Sequence, residues 1–124
     1  MACKTKPRAY KGAVTTDGTT SESFQPFSQR MPIADFEEVS VSIEVQSRTS
    51  ALSVRPGIRY SDNGVDWDAA QGLGAASTST GWTYGGFNAV SSSRRFVQFG
   101  AMASNDSGSK VEKGSVALQL MFRS

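Results

Sequence analysis

The chain has no histidine and a single cysteine, Cys3, so the reactions it could support are few. The commonest general base, the usual pH switch and the commonest metal ligand are missing together. Cys/His zinc sites and Cys-His nucleophilic pairs are excluded by the same counts. What remains is carboxylates, lysines, tyrosines and serines. Asp62, Asp66 and Asp68, with Asn63 beside them, offer oxygen ligands, but their spacing differs from the D-x-[DN]-x-[DN]-G calcium loop. Turn capping is the reading that fits them, and no metal or other cofactor is expected. Glu37 and Glu38 are adjacent, which sends them to opposite faces of a strand and rules out two carboxylates flanking one bond. Arg94 and Arg95 divide their charge in the same way, as a solvated edge or a salt bridge. Ser107 and Lys110 stand in no catalytic context, and no glycine-rich phosphate loop leads into a helix. No catalytic residue is assigned, and the expectation is a protein that is not an enzyme.

Two groups suit binding instead. Lys4, Lys6, Arg8 and Lys11 fall within the first twelve residues, and the first carboxylate is Asp17. Residues 1–12 are therefore read as a cationic arm, either an ordinary solvated tail or a segment lying across an acidic protein surface or nucleic acid. A net charge of +2 over 124 residues argues against bulk nucleic-acid binding. The second group is Trp82, Tyr84 and Phe87, set among Gly81, Gly85 and Gly86 in a small, polar segment over 69–93. Either the rings fold down as a lid on the core, or rigid aromatics on a glycine frame form a protein interface or a sugar platform.

These groups need strands to position them. Val39, Val41, Ile43 and Val45 alternate with Ser40, Ser42, Glu44 and Gln46, which predicts a strand over 36–49 with one dry and one wet face. A short strand is expected over 10–16. Residues 22–35 carry Pro26 and Pro32 and read as an irregular connection whose Phe24 and Phe27 cap the core or face a partner subunit. From Ala51 to Asp68 the chain reads as strand, tight turn at Ser61–Gly64 and returning strand, with a bulge or bend at Pro56–Gly57. Val65 and Trp67 are placed with the apolar flank. Residues 94–104 are apolar on both faces, hence a central or covered strand, and 115–123 alternate as a last strand inside the sheet. About seven or eight strands, no helix and regular turn signals predict an all-β fold, an antiparallel β-sandwich of jelly-roll or Ig-like type, as one domain over 13–124 behind the arm. No apolar run reaches the roughly 20 residues of a membrane span, and a soluble protein made in the cytoplasm is expected.

The segment Tyr60-Ser61-Asp62-Asn63-Gly64-Val65-Asp66-Trp67 resembles the Tyr-Ser-x-x-Gly-x-x-Trp hairpins of β-sandwich domains in phage virion proteins and discoidin-like modules. It is one residue shorter than an Asp-box and lacks its threonine. In such hairpins Tyr60, Ser61, Gly64 and Trp67 are structural. The whole chain is similar to small capsid decoration or cement proteins of tailed phages. That resemblance implies a homo-oligomeric structural protein of the virion, bound to the major capsid protein at the capsid surface. The alternative is a carbohydrate- or surface-binding module of a tail fibre, with Trp82, Tyr84 and Trp67 as stacking platforms.

Overall fold

A computed structural model describes residues 6–16, 22–33, 37–49, 51–90, 93–105 and 112–123. Among these residues ten strands follow one another: β1 (Lys6–Thr15), β2 (Ser23–Pro26), β3 (Met31–Pro32), β4 (Glu38–Arg48), β5 (Leu52–Ser61), β6 (Gln71–Gly72), β7 (Gly81–Thr83), β8 (Phe87–Ala89), β9 (Phe96–Asn105) and β10 (Lys113–Arg123). They form two antiparallel sheets. In the first, β10 lies between β1 and β4, and β7 and β8 lie in succession along the far side of β4. In the second, β9 lies between β5 and the short pair β2 and β3, and β6 borders β5. The all-β antiparallel sandwich is thus the observed architecture.

The alternation read from the sequence sets the inner faces. Val39, Val41, Ile43 and Val45 of β4 meet Leu118 and Leu120 of β10 and, from the other sheet, Leu52, Val54 and Phe99, all buried. Phe99 and Phe122 meet edge to face across the sheets, centroids 5.8 Å apart. Each such side chain stabilises the fold by roughly 1.5–3 kcal/mol through burial. As expected, β9 is covered on both faces, with Met102 buried on its outer side, and β10 runs through the middle of its sheet.

Several expectations are corrected. The proposed arm is not free from Lys6 onward: β1 begins there and pairs with β10 from Lys6↔Phe122 to Thr15↔Lys113. The cations hid its alternation, in which Val14 is buried and Tyr10 packs on the core while Ala9, Lys11 and Ala13 are exposed. Residues 22–33 are not simply irregular, since β2 and β3 edge β9. Between them Ser28 fills the gap, its Oγ accepting the Phe99 amide at 2.9 Å.

Pro56–Gly57 does not interrupt β5, whose register with β9 is continuous from Leu52↔Asn105 to Ser61↔Phe96. Pro56 turns its backbone towards the two-residue β6 side, where its carbonyl accepts Leu73 N at 2.8 Å, so its missing N–H leaves the β9 ladder whole. After the turn there is no full returning strand, only a single bridge, Ser61↔Trp67, and then β6. Buried Ser61 organises that turn: its Oγ accepts the amides of Asn63 and Gly64 and donates to Asp66 O at 2.6 Å. Asn63 Oδ1 accepts the amides of Val65 and Asp66, and Gly64 takes the left-handed conformation with φ 75°. Tyr60 packs on the core from its margin. Val65 is 73% exposed, and Trp67 stacks on Arg59 outside the core.

Candidate functional site

On the outer face of the first sheet, side chains align in rows set by the register. Lys11 pairs with Ala117, Ala117 with Glu44 and Glu44 with Trp82, so one row runs from β1 to β7. Three inter-strand steps of about 4.8 Å put the two ends of that row roughly 14 Å apart. The neighbouring row holds Ala9, Gln119 and Ser42, and Tyr84 follows Trp82 on the same side of its strand. Between the borders the outward side chains are the small Ala117 with Gln119 and Glu44, and Ala9 and Ala13 flank Lys11 on β1. The result is a shallow face with a lysine at one border and two aromatic rings at the other.

The rings are not a lid on the core. Trp82 is 41% and Tyr84 74% exposed, and they stack on each other with centroids 5.7 Å apart and planes 10° from parallel. The step between β7 and β8 holds them in place. β4 pairs with β7 at Ile43↔Thr83 and with β8 at Ser40↔Phe87, which leaves three residues of the edge facing two of β4, a one-residue bulge. Gly85 sits in the bulge. Its amide donates to Ser42 Oγ at 3.2 Å and its carbonyl accepts Ser40 Oγ at 2.6 Å. The two serines expected to be wet are consequently buried beneath the bulge. A Cβ on Gly85 would collide with the Val41 carbonyl oxygen, so only glycine lets the edge cross here. Gly81, with φ 119°, sets the entry to β7.

Of the other residues singled out, Phe87 is half-buried on the same face beneath Arg123, whose Cζ stands 3.9 Å from the ring centroid and whose Nε donates to Glu38 at 2.8 Å. Arg8 is exposed on the opposite side of β1, its Cζ 5.9 Å from the Phe122 ring centroid. Lys6 contributes backbone to β1, and Lys4 lies outside the described residues. The structure therefore joins Lys11 to Trp82, Tyr84 and Phe87 on one face and separates Arg8 from them. Phe24 and Phe27 also part: Phe27 packs on the core, whereas Phe24 lies outside the second sheet.

There, a feature not singled out from sequence appears. The Arg59 guanidinium is held between Phe24 and Trp67, 4.9 and 4.7 Å from their ring centroids, and donates twice to Gln98 Oε1. Desolvation between the rings lowers its pKa. The alternation Arg55, Gly57, Arg59 marks that face in the sequence, but nothing local pairs it with Phe24.

One cation engages two carboxylates of the acidic turn. Arg94 reaches Asp62 at 3.0 Å and Asp68 at 2.7 Å, and its pKa is raised, chiefly by the hydrogen bond to Asp68. Asp66 accepts the Asn63 amide nitrogen at 2.9 Å. Among the described residues no three His, Cys, Asp or Glu side chains come together as a metal site. A cleft of about 430 Å³ beside Tyr60, Gln71 and Val90 includes Asp68 and Arg94, already joined to each other. Another of about 300 Å³, between Pro56, Leu73, Thr83 and Gly85, has no charged side chain in its lining. No described helix is long and apolar enough to cross a membrane.

No protein-family model and no curated protein sequence matches the chain. Solved structures do. The SPBc2 prophage-derived protein YomS superposes with a TM-score of 0.56 at 15% identity, over 100% of this chain and 96% of its own. The structure of infectious bursal disease virus, Gx strain, gives 0.58 at 8% identity, over 98% of this chain and 32% of its own. The VP2 subviral particle of the same virus gives 0.56 at 9%, over 95% and 33%. The chain spans about a third of the length of these bursal virus proteins and nearly all of the prophage protein. At such identities the likeness is one of fold.

Proposed function

We propose that this chain is a non-enzymatic structural protein of a virus particle, a capsid decoration protein that docks on the shell of major capsid subunits through the outer face of its first sheet. The observation that carries the reading is that face: a row running from Lys11 through Ala117 and Glu44 to the exposed Trp82–Tyr84 stack. Rigid aromatics at the border of a flat patch are what a protein interface uses as anchors, with small residues permitting close approach. Support comes also from a fold held in common with a prophage-derived protein along its length and with part of a VP2 chain that builds subviral particles. Copies of the chain joined as a small homo-oligomer would multiply a modest contact through symmetry.

The test is co-sedimentation with capsid shells lacking the protein. Stoichiometric pelleting is expected, and failure to bind shells in any expansion state would sink the proposal. Trp82→Ala is expected to weaken binding by about 2 kcal/mol, roughly thirtyfold, with the melting transition unchanged because the ring is not part of the core. A second reading rests on the ring pair alone, since two exposed, parallel rings can stack against a sugar. A glycan array separates the two: a Trp82-dependent glycan signal without shell binding would favour a carbohydrate-binding module.

A further inference from the structure

β1 is the terminal strand of the first sheet, and the direction of its backbone groups can be read from one residue. Thr15 donates its amide to Gln25 Oε1 at 3.2 Å and its carbonyl accepts Gln25 Nε2 at 2.6 Å, so Thr15 points both groups away from β10. Thr16, the next residue, donates instead to Glu112 O at 2.9 Å. Antiparallel pairing alternates along a strand, so Ala13, Lys11 and Ala9 also point their N–H and C=O outward. All three are exposed, and among the described residues none of these groups has a partner. The open row is bounded by Pro7, which has no N–H, and by the Gln25 side chain at Thr15.

We infer that this edge accepts an extended acidic segment of a partner protein, added to the sheet as a further antiparallel strand. The charge of the strand selects the occupant. Lys6, Arg8 and Lys11 lie in β1, and no carboxylate precedes Asp17. Two copies pairing edge to edge would bring Arg8 and Lys11 of each strand along one seam, which discourages self-association. The same charges attract an acidic strand. Its backbone would bond at Ala9, Lys11 and Ala13, its acid would stand across from Lys11, and the two alanines leave its other side chains room. The added strand would widen the face carrying Trp82 and Tyr84. The inference deepens the docking proposal by naming the chemistry of the partner segment, and it rests on that reading for where such a segment comes from.

The full chain, isotope-labelled, is mixed with a nine-residue Thr/Val peptide bearing glutamates, with its lysine counterpart and with a single-stranded oligonucleotide. The glutamate peptide is expected to slow amide exchange at Ala9, Lys11 and Ala13 by at least about tenfold, and the other two to leave it unchanged. Ala9→Pro removes one outward N–H and no bond to β10, and is expected to weaken the peptide about five- to tenfold. Lys11→Glu, which keeps every backbone group, is expected to transfer preference to the lysine peptide. Glutamate-peptide binding without protection of those three amides, or protection that grows with protein concentration in the absence of peptide, would overturn the inference. So would loss of peptide binding with shell co-sedimentation intact, while the opposite pattern would overturn the decoration reading alone.

Discussion

Gly85 and Gly86 are adjacent, equally exposed and alike in the sequence, yet the structure assigns them opposite tolerances. A Cβ added to Gly86 meets nothing within 4 Å. One added to Gly85 collides with the Val41 carbonyl oxygen and lies 3.2 Å from its carbonyl carbon, and these are backbone atoms of β4 that cannot swing aside. In Gly85→Ala the edge must lift. Lifting breaks the hydrogen bonds from Ser40 Oγ to Gly85 O and from Gly85 N to Ser42 Oγ, about 1 kcal/mol each, and leaves two buried hydroxyls to be wetted. Residual overpacking adds roughly 1 kcal/mol, for a total near 3 kcal/mol. Urea denaturation followed by tryptophan fluorescence measures both variants on one scale. Gly86→Ala should fall within about 0.5 kcal/mol of the parent, because its backbone is not in the left-handed region and the substitution stiffens only the unfolded chain. Equal midpoints for the two variants would refute the reasoning, since they would mean that the edge does not cross the Val41 carbonyl at Gly85. Gly85→Ala should also displace the Trp82–Tyr84 stack and so weaken shell binding, whereas Gly86→Ala should not.

Ser61→Ala removes the hydroxyl that accepts two amides and donates to Asp66 O, and should cost about 1–2 kcal/mol in urea denaturation with loss of exchange protection over residues 62–66; an unshifted midpoint would mean that water replaces the hydroxyl without loss. Deleting Lys113–Ser124 removes the strand that joins β1 to β4, and with it Val116, Leu118 and Leu120 of the core. The truncated chain should show no cooperative melting transition, and a transition like the parent's would contradict the central place of β10.

Which side of a strand a residue occupies is a local property, and here it was readable. Val39, Val41, Ile43 and Val45 had to share a face because period two leaves no choice, and the same holds for the alternation of β10. The context that decides whether a face is wet is not local. Ser40 and Ser42 read as solvated, and they are buried because a glycine 43 or more residues further along bulges over them. Pro56 read as a break, and it is harmless because of the direction in which its missing donor points. That direction depends on the parity of its pairing with β9, which no stretch of ten residues encodes.

The site itself illustrates the same division. Lys11 and Trp82 stood out separately, one as a cation in a tail and the other as a ring in a glycine-rich loop. Their positions up or down were implicit in alternation once each was placed on a strand. Their position across the sheet depends on the order β1-β10-β4-β7, in which the last long strand of the chain inserts between the first and the fourth. Because β10 supplies Ala117 between Lys11 and Glu44, a chain that placed β1 directly against β4 would bring the lysine one strand nearer the rings and set it beside Glu44, where an ion pair would neutralise it. Inserting β10 keeps the cation at the border of the sheet, next to backbone groups that have no partner among the described residues. The charge of β1 comes from its composition, whereas its place at the border of the sheet comes from strand order alone.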